Sequence, residues 1–364
     1  MSVVWTILAF IVIFSMLVVV HEFGHFIVAR ANGIEVKEFA VGMGPKLLRI
    51  PGKHTEFVLR ALPIGGACVF EEDDPFDNED DEARKEENTM EKSDEKGSGK
   101  FSDAPLGARI ITTLAGPVFN VLLGFILAMI VVIICGENNT VVGGVVEGSP
   151  AEEAGMMAGD KILKINNERI YLFTEIPLLT MTSRSDDWTV VYERNGREYT
   201  ANVTLATDED GRYLGVYSAE KVNCANLRAF EYSWYEVRYW MKATFKSIGM
   251  LVTGKLTKDD VAGPVGVAQV IGSTIKETQS YGFLVVFVNL ADIALLLSVN
   301  LAIMNMLPFP ALDGGRLLFL LWELIIRKKV PRKFEAIVTL VGFGALMVLM
   351  VLVLVNDVSR FFRK

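Results

Sequence analysis

The chain has 364 residues, 51% of them hydrophobic and 22% charged, with a mean hydropathy of +0.35, a balance that excludes an ordinary soluble enzyme. Its net charge of −8 is local: Glu71 to Lys96 carries fourteen acids against four basic residues, a net −10, and everything else sums to +2. The three cysteines include no CxxC pair, which excludes a disulfide framework and a thiolate zinc knuckle and leaves His and carboxylate to hold any metal.

Val3 to Val20 runs 18 residues without a charge, enough for a helix to cross a hydrocarbon core of about 30 Å. No basic flank precedes it, and it continues into His21-Glu22-Phe23-Gly24-His25, so residues 1–30 read as a retained first span and not as a secretory signal. On a helix, positions i and i+4 share a face. His21 and His25 can therefore hold one metal ion, with Glu22 beside it as the group that takes a proton from water on the metal. Two of the chain's three histidines sit in this motif, at a membrane depth where imidazoles and a carboxylate need partners. The third, His54, reads as a surface residue.

Residues 31–70 predict a small sheet close to the membrane. Ile34 to Val41 alternates as a strand, Phe57-Val58-Leu59 and Ala67 to Phe70 read as further short strands, and Pro51-Gly52 and Pro63-Ile64-Gly65-Gly66 read as turns. This element is either a structural loop or an edge that pairs with an extended substrate. The acidic stretch, within 71–104, is almost free of large apolar residues and reads as a disordered loop.

A second span occupies 105–137, centred on the 27 uncharged residues from Ile110 to Gly136. From 138 to 221 the composition becomes that of a soluble domain. Ser149-Pro150-Ala151-Glu152-Glu153-Ala154-Gly155 and Gly159-Asp160-Lys161-Ile162-Leu163-Lys164-Ile165-Asn166 resemble a PDZ domain, with Tyr213-Leu214-Gly215-Val216 where its carboxylate-binding loop belongs. The linker 222–281 includes an aromatic-rich stretch, Leu227 to Leu251, suited either to a membrane interface or to packing on the preceding domain.

The third span, 282–326, is broken by Pro308, Pro310, Gly314 and Gly315, which lets Asp313 turn inward as a candidate third metal ligand. Arg327, Lys328, Lys329, Arg332 and Lys333 make 327–334 a basic loop, and Ala336 to Val355 lies in a fourth span, 335–364. Basic loops stay cytoplasmic, which places both termini and the 138–281 segment outside. The fold class is thus an α-helical polytopic membrane protein of about four transmembrane helices, with an inserted α+β PDZ-like domain and a small membrane-associated β element.

HEFGH at 21–25, GMGP at 42–45, AGPVFN at 115–120, the PDZ-like domain, GPVGV at 263–267 and NMLPFPALDGG at 305–315 follow one another in an order that resembles the site-2 proteases, intramembrane zinc metalloproteases, and within them the bacterial regulator-of-sigma-E type. A single PDZ-like domain makes Gram-positive members the more similar. The resemblance implies that Zn2+ is held by His21, His25 and Asp313, that Glu22 is the catalytic acid/base, and that Asn305 and Asn120, with Gly42, Gly44 and Gly215, contact substrate. It implies a bacterial plasma-membrane location, the bilayer as surroundings, and single-span substrates such as anti-sigma factors or signal-peptide remnants, with no nucleic-acid partner. The alternative is a non-catalytic PDZ-bearing receptor or scaffold with a structural metal site. Glu22 argues against it, because a structural site has no use for a spare carboxylate.

Overall fold

The computed structural model describes residues 2–70, 99–183, 185–209, 211–219, 221–224, 227–255 and 262–363; the acidic stretch read above as a disordered loop lies outside the described residues. In chain order the elements begin with α1 (Ser2–Ala31), β1 (Val36–Pro51), β2 (Glu56–Phe70) and α2 (Leu106–Cys135). Then come β3 (Val142–Val145), α3 (Pro150–Glu153), β4 (Lys161–Ile165), β5 (Glu168–Arg169), α4 (Glu175–Thr182), β6 (Asp187–Arg194), β7 (Arg197–Thr204), β8 (Ala206–Asp208), β9 (Gly211–Tyr213) and β10 (Val216–Ser218). The chain ends in α5 (Leu227–Val252), α6 (Pro264–Thr278), α7 (Phe283–Asn305), α8 (Asp313–Ile326) and α9 (Arg332–Arg363).

Four of these helices are long and apolar enough to cross a membrane: α1, α2, α7 and α9. Their outward faces carry exposed Val12, Leu122, Ile126, Leu349 and Leu352, the pattern of a lipid-facing surface and not of a water-facing one. The chain divides into two compact units, the first built from Met1–Leu123, Lys258–Val286 and Leu297–Lys364, the second from Gly124–Thr257 and Phe287–Leu296.

In the first unit β1 and β2 pair antiparallel in a folded register. Phe57 has both Phe39 and Ile50 as partners and Val58 has both Ala40 and Arg49, while Phe39 also lies opposite Cys68 and Ala40 opposite Ala67. Two long strands thus make four short rungs, with 46–51 and 66–70 at the edges. Pro63-Ile64-Gly65-Gly66, expected to be a turn, is instead interior to β2. The reason is local: Gly65 at φ +82° supplies an irregularity that bends the strand without reversing it. Ala29, Ile34, Val36 and Phe101 form the buried cluster beneath this element.

The second unit holds a four-stranded sheet in the order β5-β4-β6-β7, with β10 paired to β3. Ile162, Ile165, Trp188, Val190 and Leu214 lie in its core. The two motifs have clear local causes. Ser149 caps α3 by accepting from the Glu152 N–H, with Pro150 in the first turn. Asp160 accepts from the Met157 N–H at 2.8 Å and from Arg194 at 2.6 and 2.7 Å; burial opposes its ionisation, but these donors outweigh burial and hold the carboxyl below the usual carboxylate range. Of the two roles expected of its sequence, packing on the preceding domain is the one that helix α5 shows. One face docks on the unit, where Arg238 and Lys242 reach the buried Glu175 at 3.1 and 2.9 Å and Tyr235 packs on Tyr171. The other exposes Leu227, Phe230, Trp234 and Phe245, with Phe230 touching Phe125 of α2 at a ring separation of 5.0 Å.

Glu137 and Val222, which flank the strands of this unit, exchange backbone hydrogen bonds of 3.0 and 2.8 Å. Glu236 of α5 lies buried there against Glu137. Burial, then the Glu137 carboxylate that shares a hydrogen bond with it, push the Glu236 carboxyl up to about 9, whereas an unfolded chain ionises at about 4.3. Between those values the folded chain binds one more proton than the unfolded chain, so stability falls as pH rises through that window. The thermal midpoint of the detergent-solubilised protein should therefore fall between about pH 5 and about pH 9, and Glu236→Gln, which keeps a donor for Glu137 and cannot ionise, should flatten the fall. An equal fall in the variant would show that the pair does not carry the effect.

Candidate metal centre

α1 sets His21 and His25 one turn apart on one face, both buried. Their Nε2 atoms are 3.3 Å from each other and 3.1 and 3.3 Å from Asp313 Oδ2. A tetrahedral ion with ligand arms of about 2.0–2.1 Å has ligand–ligand edges of about 3.3–3.4 Å, so the triangle has the size that zinc coordination requires. Asp313 Oδ2 is buried and has no partner apart from these two imidazoles, so the three donor atoms lie within reach of one ion. Among the described residues this is the one group of three His, Cys, Asp or Glu side chains that can share an ion.

Asp313 reaches the histidines because the chain breaks between α7 and α8. Met306 to Leu312 carries Pro308 and Pro310, and Ala311 holds φ +76°, a left-handed conformation that a non-glycine residue adopts at a cost of about 1–3 kcal/mol. Asp313 is then the first residue of α8. The turn folds back so closely that a Cβ on Gly314 would lie 2.2 Å from the Leu307 carbonyl oxygen, and one on Gly315 2.3 Å from that of Phe309. The Leu-Asp-Gly-Gly sequence is a steric requirement of this placement.

α2 closes the other side. A Cβ on Gly116 would stand 2.2 Å from His25 Nε2 and 2.7 Å from His21 Cε1, so this glycine leaves open the space beside the donor atoms. Gly24 does the same for the helix contact, since a Cβ there would meet the Ala115 carbonyl at 2.6 Å. Pro117 lies inside α2 and removes one helical N–H, and the Thr112 carbonyl accepts from His25 Nδ1–H at 2.8 Å. That bond fixes the tautomer and leaves the Nε2 lone pair for a metal. The Asn120 amide nitrogen lies 3.2 Å from His21 Nδ1, and its Oδ1 has no partner. With the amide turned so that Oδ1 accepts Nδ1–H, the second imidazole is oriented in the same way.

Of the remaining candidates, Glu22 lies half-buried beside the histidines, and the Asn305 amide nitrogen is 3.3 Å from His21 Nε2. Asn120, expected to touch substrate, is fully buried, with its amide 3.2 Å from His21 Nδ1. Gly42 and Gly44 bend β1 at φ +89° and +86°; it is Gly66 of β2 that lies against Glu22. Gly215 belongs to the second unit, at φ +86° between β9 and β10, with its carbonyl accepting from the Val146 N–H at 2.9 Å. A cavity of about 690 Å³ reaches Asp313 and is walled by Phe101, Arg109, Arg316, Leu340 and Phe343. Arg109 is neutralised there by Glu323 at 2.6 and 3.0 Å. Sequence reasoning grouped Gly116 and Pro117 in a motif without giving them a task, and it missed Thr112, whose contribution is a backbone carbonyl that every residue type carries.

A family model described as peptidase family M50 matches residues 9–349. The regulator of sigma-W protease RasP of Bacillus subtilis is 30% identical over 425 residues, covering 98% of this chain and 99% of its own, and the zinc metalloprotease RasP of Geobacillus kaustophilus is 30% identical over 424 residues, covering 98% of each. A Clostridium acetobutylicum protein that also carries a zinc metalloprotease name is 33% identical over 352 residues and 96% of each chain. Among solved structures, the PDZ domain of an SdrC-like protein from Listeria monocytogenes is 21% identical and covers 22% of this chain and 87% of its own, with a TM-score of 0.20.

Gly116→Ala should push a methyl group into the gap between the imidazoles and lower the divalent metal retained by the purified protein about 10- to 100-fold in affinity, read by elemental analysis across a chelator series. Undiminished affinity in a folded variant would mean that the gap is not where an ion sits.

Proposed function

The chain belongs to peptidase family M50, and from that premise we propose that it is a zinc-dependent intramembrane endopeptidase that cuts single-span membrane proteins. The observation that carries this reading is the three-donor triangle of His21, His25 and Asp313, at tetrahedral edge length, with a spare carboxylate next to it and a glycine keeping the adjacent space open. The three residues are the zinc ligands, and the names of the relatives support zinc over other divalent ions. Bound there, zinc supplies electrophilic polarisation of the scissile carbonyl and a water of lowered pKa.

The chain's own residues do the rest. Glu22 accepts the proton of the attacking water and returns it to the leaving amide nitrogen. Asn305 offers an amide N–H to the peptide backbone, and an edge of the β1–β2 element receives the substrate in extended form, because a helical segment has its carbonyls engaged. The name of the Bacillus subtilis relative supports anti-sigma factors as one substrate class, and signal-peptide remnants are another. The basic residues 327–333 support a cytoplasmic 31–108 loop in the bacterial plasma membrane, with the PDZ-like unit and both termini outside. Gly215 then belongs to an external loop that takes a chain terminus or stands as part of a gate.

Glu22→Gln should keep zinc at about one ion per chain yet lose cleavage, since the ligands remain and the proton acceptor does not. Full peptidase activity in Glu22→Gln would overturn the mechanism. On a background without Cys68, Cys135 and Cys224, cysteines introduced at Lys53 and at Ser185 should react with an impermeant thiol reagent from opposite sides of the membrane; labelling of both from one side would overturn the topology.

A further inference from the structure

Glu22 is held by something other than its own helix. The backbone at Cys68 comes within reach of the Glu22 carboxylate. Cys68 lies opposite Phe39 in the register of β1 and β2. In an antiparallel pair the N–H and C=O of one residue point the same way, so a Cys68 N–H that reaches Glu22 points away from β1, out of the edge of the sheet. Two positions earlier, on the same strand, a Cβ on Gly66 would stand 3.0 Å from Glu22 Cγ, 2.8 Å from Val18 Cγ1 and 3.0 Å from the Ala40 carbonyl oxygen. The absence of a side chain at Gly66 is what lets the Glu22 methylenes lie against β2, with the backbone at Cys68 within reach of their carboxylate. The Glu22 side chain therefore lies against the same edge that an extended peptide would pair with.

We propose that residues Gly66 to Cys68 of β2 are the positioning element for Glu22, so that the strand edge sets the place of the general base and the register of a bound peptide together. This rests on the reading of Glu22 as the base. Gly66 and Cys68 touch no reacting atom themselves; they act through Glu22. A peptide strand adding along 66–70 meets the base at the level of Cys68, which ties the bond that is cut to the strand's register and not to a side-chain pocket.

The test has two arms. With only three cysteines in the chain, the full-length protein labelled with 15N-cysteine gives three amide signals, of which those of Cys135 and Cys224 are internal references. Glu22→Ala should move the Cys68 amide upfield through loss of a carboxylate acceptor, Glu22→Gln should move it less, and the two references should stay in place. A Cys68 amide that does not respond to Glu22→Ala overturns the proposal, whatever the enzyme's activity. In the second arm Gly66→Ala, with zinc content checked as unchanged, should lower kcat by up to about 100-fold at constant KM, the scale of a displacement of about 1 Å in a reacting group. Adding Val18→Ala should not restore it. Restoration by Val18→Ala, or a rise in KM at unchanged kcat, would mean that Gly66 serves helix packing or peptide binding and overturns the positioning role. If Glu22→Gln still cleaves while the Cys68 amide responds as expected, it is the assignment of the base that fails and not the placement of Glu22.

Discussion

The constraint on which this structure depends is that three polar donor atoms from distant parts of the chain must meet inside an apolar bundle. His21 and His25 come from α1 and Asp313 from the start of α8, nearly three hundred residues apart. Unshared, two imidazoles and a carboxylate at such depth are costly, by several kcal/mol for each unsatisfied group. The surrounding elements keep them together: α2 approaches closely enough, through Gly24 and Gly116, to offer a carbonyl to one imidazole and an amide to the other. The ion would complete an arrangement whose orientation is already set by Thr112 and Asn120.

Backbone chemistry imposes the second demand. A peptide bond cannot be hydrolysed while it is part of a helix, and no strand or loop is stable in hydrocarbon unless its N–H and C=O groups find partners. The chain meets this demand in two places. Between α7 and α8 the turn carbonyls are packed under Gly314 and Gly315. In β1 and β2, rungs such as Phe57 and Val58 are paired on both sides, which leaves few unpaired groups except along the edges. An edge is ordinarily a hazard. Next to the donor triangle it is the feature on which the proposed pairing with an extended peptide rests.

Much of this was legible in the sequence wherever a residue type has few alternative uses. Two histidines at i and i+4 ending an apolar run, and an aspartate followed by two glycines after two prolines, declare themselves because each is expensive in a membrane without a purpose. The motifs of the second unit are legible for the same reason: Ser149 before a proline is a cap, and Asp160 answers an arginine thirty-four residues on. What escaped was carried by groups that sequence does not distinguish. The Thr112 carbonyl and the Cys68 N–H are backbone, Gly116 is one of 31 glycines, and Pro63 with Gly65 and Gly66 has the composition of a turn while serving as a kinked strand. The pairing of Glu236 with Glu137 escaped as well, since nothing local to Glu236 reveals that a second acid, ninety-nine residues earlier, will share its proton.

Asn120 and Asn305 show how position decides between identical side chains. Both are amides within reach of His21, one at Nδ1 and the other at Nε2. Asn120 sits inside α2 with no exposed surface, and its amide meets the ring nitrogen that points away from the donor triangle, so it orients the ligand. Asn305 ends α7 immediately before the break, is partly exposed, and approaches the ring nitrogen that faces the triangle. An amide there cannot fix the imidazole tautomer without competing for the lone pair that a metal needs, and the proposed reading gives its N–H groups to the substrate instead. The cavity that reaches Asp313, lined by Arg109, Arg316 and apolar side chains, gives the same centre a second approach. Hydrolysis requires two things at once: a donor for the peptide that the ligands do not consume, and an approach for water.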